Sequence, residues 1–171
     1  EQDYFIRSNY LDLTQLQDYW SPKRLNHHTE STTSIYALYT GLKIALTEGI
    51  EARAERHAYH QEGLKQALKA LGLEIFGDET NEMKMVICVN IPDGADDSKF
   101  REGLLKNYGI EIAGSFGELQ GEIWRIGIMG YAIEKQNILT FLSIFSLYLA
   151  HQGVQNLNPE KAIDTLLAYY A

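Results

Sequence analysis

A single cysteine, Cys88, rules out any disulfide within the chain, so no covalent staple can stand in for a hydrophobic core. It lies in the apolar run MVICVNI and reads as a small buried hydrophobe, which points to a reducing, cytoplasmic setting. Basic side chains are outnumbered, 15 against 23 acidic ones, giving a formal charge of -8. With no basic stripe and no aromatics interleaved with one, nonspecific nucleic-acid binding is excluded. No apolar run reaches the roughly 18 residues a membrane-spanning helix requires. The longest, residues 138–150, is broken by Thr140, Ser143 and Ser146. The opening EQDYFIRSNY has neither the basic nor the apolar portion of a secretory leader. It starts at Glu1 rather than at methionine, without a boundary signal, and the expectation is a processed chain or a piece of a longer one.

Prolines number three, and each punctuates an element instead of interrupting one. Ser21-Pro22 stops a short helix over Asp12 to Trp20, and the aperiodic polar loop KRLNHHTESTT follows. A helical stripe through Ile35, Leu38, Leu42, Ala45 and Leu46 predicts a helix over Ser34 to Glu48. After Gly49, a second stripe through Ile50, Ala54, Leu64, Leu68 and Leu71 predicts a long helix capped by Gly72. Arg53, Arg56, Lys65 and Lys69 fall outside that stripe. The period then shifts towards two. Leu73 to Phe76 and a buried Met85 to Ile91 read as strands, with a Pro92-Asp93-Gly94 turn after them. Ser98 to Tyr108 reads as a helix with Phe100, Leu104 and Leu105 inward. Strands in Ile110 to Ile128 and helices over Glu134 to His151 and Pro159 to Tyr170 complete the chain, the last with Asn158 as cap. The fold class is α/β in the broad sense, an α+β small domain. Two long helices lead into a small, mostly antiparallel sheet, β-β-α-β-β-α, covered by helices. At 171 residues one core suffices, burying roughly 70% of the unfolded surface.

Chemistry concentrates in IEIAGSFGELQGEIWRIGIMGY, residues 110–131. A glycine loop (Gly114, Gly117, Gly121) leads into an alternating apolar strand carrying one cation, Arg125. A planar guanidinium in such a strand needs an anion, either an internal carboxylate or a bound ligand whose carboxylate it grips in bidentate fashion. The loop Asn26-His27-His28-Thr29 offers donors just before a helix, which suits an anion such as phosphate; simple capping by Thr32, Thr33 or Ser34 is the plainer alternative. His57 and His60 could share a metal on one helix face, but solvated helix histidines account for them better. The glycine loop is no dinucleotide fingerprint, because a strand follows it where a helix is required.

Taken together, NHHTESTTSIYALYTGLKIALTEGIEARAERH, GLEIFGD, IPDG and YGIEIAGSFGELQGEIWRIGIMGY resemble, in this order and spacing, the C-terminal part of class V, fold-type I, pyridoxal-phosphate-dependent aminotransferases. The branch is that of the alanine–glyoxylate and (S)-ureidoglycine–glyoxylate enzymes. The resemblance implies that Arg125 clamps the substrate carboxylate. It implies that Thr29, and Asn26 where alanine–glyoxylate enzymes usually carry a tyrosine, reach the cofactor phosphate of the partner subunit in a homodimer. Asparagine followed by HHTE is similar to the ureidoglycine branch, which passes an amino group from a purine-breakdown intermediate to glyoxylate. Glu118 and Glu122 depart from the Pro and Lys expected in that loop, which leaves loop charge and substrate preference open. The resemblance assigns residues 1–48 to the end of a large domain and 49–171 to the small domain. It also implies that the Schiff-base lysine lies on that large domain, so these 171 residues alone are expected to be inactive. The alternative is a stand-alone ligand-binding or assembly module derived from such an enzyme.

Overall fold

The computed structural model describes residues 8–171, apart from the side chain of Tyr131. The leader reading and the start of the expected first segment fall largely on residues 1–7, outside the described residues. Contacts divide the chain into two compact units, Glu1–Thr47 and Glu48–Ala171.

In the first unit, α1 (Leu13–Trp20) starts at Asp12, whose carboxylate accepts the Thr14 N–H at 2.9 Å, and stops at Ser21 before Pro22. After the loop comes α2 (Thr32–Glu48). No residue of either helix is buried. The stripe expected to face inward, Ile35, Leu38, Leu42 and Leu46, is exposed, Leu46 at 72%. Apolar side chains mark a face, but no part of the described chain covers it.

The second unit opens with α3 (Ile50–Leu71), closed by Gly72 in the left-handed region (φ +107°) as the capping reading requires. Strands β1 (Val86–Asn90) and β2 (Ile123–Gly127) pair antiparallel, with Cys88 opposite Arg125 and Val89 opposite Trp124. The other two expected strands are reduced to single bridges, Ile75 to Val89 and Ala113 to Arg125, so one flanks β1 and the other flanks β2. Gly72 and Gly77, both at φ +107°, bend the backbone on either side of residues 73–76 and leave room for one bridge only. Helix α4 (Asp97–Tyr108), capped by Asp96, lies between β1 and β2 in sequence, and α5 (Lys135–His151) and α6 (Pro159–Tyr169) follow. Asn158 caps α6 by accepting the Lys161 N–H at 3.0 Å.

The core sits where α3, α5 and α6 meet one face of the sheet. Trp124 stacks on Phe100 with centroids 4.7 Å apart, and Phe145 stands edge-on to both rings. Around them pack Leu64, Leu68, Leu71, Leu142, Leu149 and Leu166, all fully buried. Only alternate residues of β1, Ile87 and Val89, join this core. Cys88 is therefore half-buried on the opposite face, not the buried hydrophobe expected. Leu105, expected inward, is 48% exposed, and Ile50 and Ala54 are exposed as well.

The buried stripe of α3 runs instead through His57, Gln61, Leu64, Lys65, Leu68 and Leu71. Lys65, expected on the polar side, is only 5% exposed. Its ammonium meets Glu82 at 2.7 Å, Glu62 at 3.0 Å and Glu79 at 3.3 Å. His57 is buried and His60 half-buried, so neither is a solvated histidine. His57 bonds the Arg53 carbonyl through Nδ1 (2.7 Å) and accepts the Gly130 N–H on Nε2 (3.1 Å), while His60 bonds the Tyr170 hydroxyl (2.7 Å).

Candidate functional site

Arg125 stands in the middle of β2, half-exposed on the face of the sheet away from the core. Its backbone is locked to Ala113 by two hydrogen bonds, of 2.7 and 3.1 Å. Its Nε–H donates to the Gly114 carbonyl at 2.8 Å, and the Phe116 ring lies over the guanidinium with its centroid 5.3 Å away. Among the described residues no carboxylate pairs with Arg125, and its two Nη nitrogens carry no hydrogen bond. Among these residues the internal salt bridge that the sequence left open is not made. What remains is a fork with one edge anchored and the outer edge free, the arrangement a bidentate carboxylate requires. The neighbouring Cys88 thiol is pushed up by burial, against a weaker opposing pull from the Arg125 charge, so it stays neutral beside the cation.

In the first unit, Asn26 and Thr29 are exposed loop residues. Neither side chain makes a hydrogen bond among the described residues. The histidines between them are turned to local use. The Asn9 carbonyl takes a hydrogen from His27 Nε2 at 2.7 Å, which leaves His27 Nδ1 to accept from His28 Nδ1 at 3.0 Å. Tyr10 and Tyr19 pack on the His28 ring. Ser31 and Ser34, rather than Thr32 or Thr33, share the hydroxyl bond at the start of α2. Asn26 lines an open cavity of about 460 Å³ together with Tyr19, Trp20 and Arg24. Arg24 adopts a left-handed backbone (φ +47°), unusual for a residue with a side chain. Sequence reading missed Arg24, because neither its strain nor its neighbours leave a mark in the order of residues. Phe116 was missed too, although an aromatic within a glycine loop is a signal that could have been followed. So the structure places Asn26 beside Arg24 in one unit and Arg125 beside Gly114 and Phe116 in the other; Thr29 joins no cluster.

Among the described residues no group of three His, Cys, Asp or Glu side chains is placed to hold a metal ion. No helix there is long and apolar enough to cross a membrane.

No protein-family profile matches the chain. Individual proteins do. The chain is 49% identical over 166 residues to the (S)-ureidoglycine–glyoxylate transaminase of Bacillus subtilis, covering 96% of this chain and 39% of that protein. It is 33% identical over 135 residues to the alanine–glyoxylate aminotransferase of Callithrix jacchus, covering 77% of this chain and 33% of that protein. The crystal structure of the ureidoglycine–glyoxylate aminotransferase from Bacillus subtilis superposes with a TM-score of 0.85 at 48% identity, over 96% of this chain and 42% of that one. A pyridoxamine–pyruvate aminotransferase from Mesorhizobium loti superposes with a TM-score of 0.79 at 26% identity, over 94% and 41%. The chain thus spans between a third and about two fifths of the length of these relatives, in their C-terminal part. By identity and by fold it belongs to the class V aminotransferases, in the branch of the ureidoglycine–glyoxylate and alanine–glyoxylate enzymes.

Proposed function

We propose that this chain is the C-terminal portion of a pyridoxal-phosphate-dependent aminotransferase that transfers an amino group to glyoxylate, with ureidoglycine, alanine or serine as donor. The carrying observation is Arg125, a cation whose outer edge has no partner among the described residues while its inner edge is fixed on Gly114. In this reading Arg125 grips the carboxylate of glyoxylate and of the amino donor in turn, and so holds the reacting carbon at a set distance from the cofactor. Pyridoxal phosphate, when bound, supplies the electron sink for transamination.

Asn26 and Thr29 fit the role of donors to its phosphate, because their amide and hydroxyl are exposed and make no hydrogen bond among the described residues. They would serve the partner subunit's site in a homodimer. Residues 1–48 would then close the large domain and residues 49–171 form the small one, a division supported by the separation of contacts between Thr47 and Glu48. The lysine that carries the cofactor would lie on the large domain, and the setting would be the reducing cytoplasm.

Arg125→Ala in the complete gene product tests the clamp. Loss of a charged, bidentate partner costs about 1.5–3 kcal/mol, so the KM for glyoxylate should rise roughly ten- to hundredfold. An unchanged KM removes Arg125 from substrate binding.

A further inference from the structure

The free fork of Arg125 is useful only if it points one way, and three elements combine to aim it. Resting on the clamp reading above, we propose that Gly114 and Arg101 are positioning residues that set the direction of the Arg125 guanidinium.

The acceptor that aims the fork is the Gly114 carbonyl, 2.8 Å from Arg125 Nε. Its strand is fixed one residue upstream, where Ala113 exchanges both backbone bonds with Arg125. Behind Gly114 stands the guanidinium of Arg101, on α4. A Cβ placed on Gly114 would meet Cζ and Nη2 of Arg101 at 3.3 Å and Nε at 3.4 Å. Arg101 cannot easily withdraw. Its Nε and Nη2 donate to the two carboxylate oxygens of Asp97 at 2.7 and 3.0 Å, and Asp97 also accepts the indole N–H of Trp124 at 2.8 Å. These bonds, the Arg101 contact foremost, hold the Asp97 carboxyl below the usual carboxylate range, so it stays ionised.

The contacts close a ring. Trp124 is fully buried and precedes Arg125 in β2, so the ring returns to the residue it started from. Asp97 and Arg101 belong to a helix, Trp124 and Arg125 to a strand, and only the Gly114 peptide between them is loop. A side chain at position 114 would therefore displace the Gly114 peptide rather than Arg101. The carbonyl would move with it and turn the fork. Gly114 lies outside the left-handed region, so the cost of a substitution here is contact, not backbone strain.

The test compares Gly114→Ala, Arg101→Ala and the double variant in the complete gene product, with Arg125→Ala run alongside and a thermal melt for each. Misaiming a positioned group should raise the KM for glyoxylate about tenfold in Gly114→Ala, with kcat within about twofold. Arg101→Ala alone, which loosens the backstop, should raise KM about threefold, and the double variant should return to that level because nothing remains for the new methyl to push against. A Gly114→Ala enzyme with unchanged KM, or a double variant with multiplied defects, overturns the proposal while leaving the clamp standing. Unchanged KM in Arg125→Ala overturns the clamp itself, and the positioning role with it. If Gly114→Ala does not fold, Arg101→Ala decides, since a KM equal to the parent's is then the overturning result.

Discussion

The imidazole of His57 ties α3 to the turn that leaves β2. With its Nδ1–H given to the Arg53 carbonyl, Nε2 is left as the acceptor for the Gly130 N–H. Arg56 donates to the Gly130 carbonyl at 3.0 Å, so both backbone groups of Gly130 are held from the same helix. His57→Leu would leave the half-buried Gly130 N–H without a partner, a loss of about 1–3 kcal/mol. Urea unfolding of the variant should show it as a lower midpoint with an unchanged slope, and a midpoint equal to the parent's would make the histidine dispensable. At this scale the sequence was uneven. Arg125 was legible because a lone cation in an alternating apolar strand is conspicuous against its neighbours. His57 was not, since a buried histidine and a solvated one look alike until the acceptor on the other side is known. Gly114 was seen as a glycine, but the guanidinium behind it comes from a different element, α4.

Among the elements, α3 shows why an apolar stripe can be read too narrowly. Its buried face carries Leu64, Leu68 and Leu71 at helical spacing, and the same face also buries His57, Gln61 and Lys65. Hydropathy places Lys65 outside; the loop over residues 78–82 covers it with Glu79 and Glu82, and Glu62 of α3 adds a third carboxylate. Burial opposes its charge, yet the bonds from Glu82, Glu62 and Glu79 outweigh that and hold the Lys65 ammonium above the ordinary lysine range. In Glu82, burial works against the charge as well, and the bonds from Lys65 and Lys84 still bring the carboxyl below its usual value of 4.5. Glu79 is lowered too, first by Lys69.

The two directions define a window. The carboxylates' contribution is present above about 4.5, their unfolded value, and is lost as pH falls through their lower folded values. That of Lys65 is present below about 10.5 and is lost only as pH rises through its higher folded value. Lys65→Met should cost about 2 kcal/mol at neutral pH, less than a fully buried pair because Glu62 and Glu79 reach solvent. Its melting temperature should also fall less steeply below pH 4.5 than the parent's; parallel pH profiles would show that Lys65 does not hold the loop. In α2 the opposite occurs, since its stripe was read correctly as a helical face but hydropathy cannot name what covers it.

For the whole molecule, element order and family were legible because the HHT loop, the glycine loop and the strand with Arg125 carry the resemblance by their order and spacing. Any distribution of labour between subunits rests on the resemblance alone, since no local pattern states which copy of the chain a side chain serves. The proposed arrangement gives it a specific consequence. If each site takes Arg125 from one subunit and Thr29 from the other, Arg125→Ala and Thr29→Ala damage the same site from opposite sides. Mixing the two impaired variants and letting subunits exchange would then create heterodimers in which one site has both defects and the other has neither. With random pairing, about half of the dimers are mixed and each holds one intact site of two, so about a quarter of all sites should work. Were Thr29 to serve its own subunit's site, every site in every dimer would carry one defect and mixing would restore nothing. Glyoxylate-dependent transamination, measured before and after exchange, separates these outcomes, and recovery limited to the mixed species would tie Thr29 to the partner's cofactor.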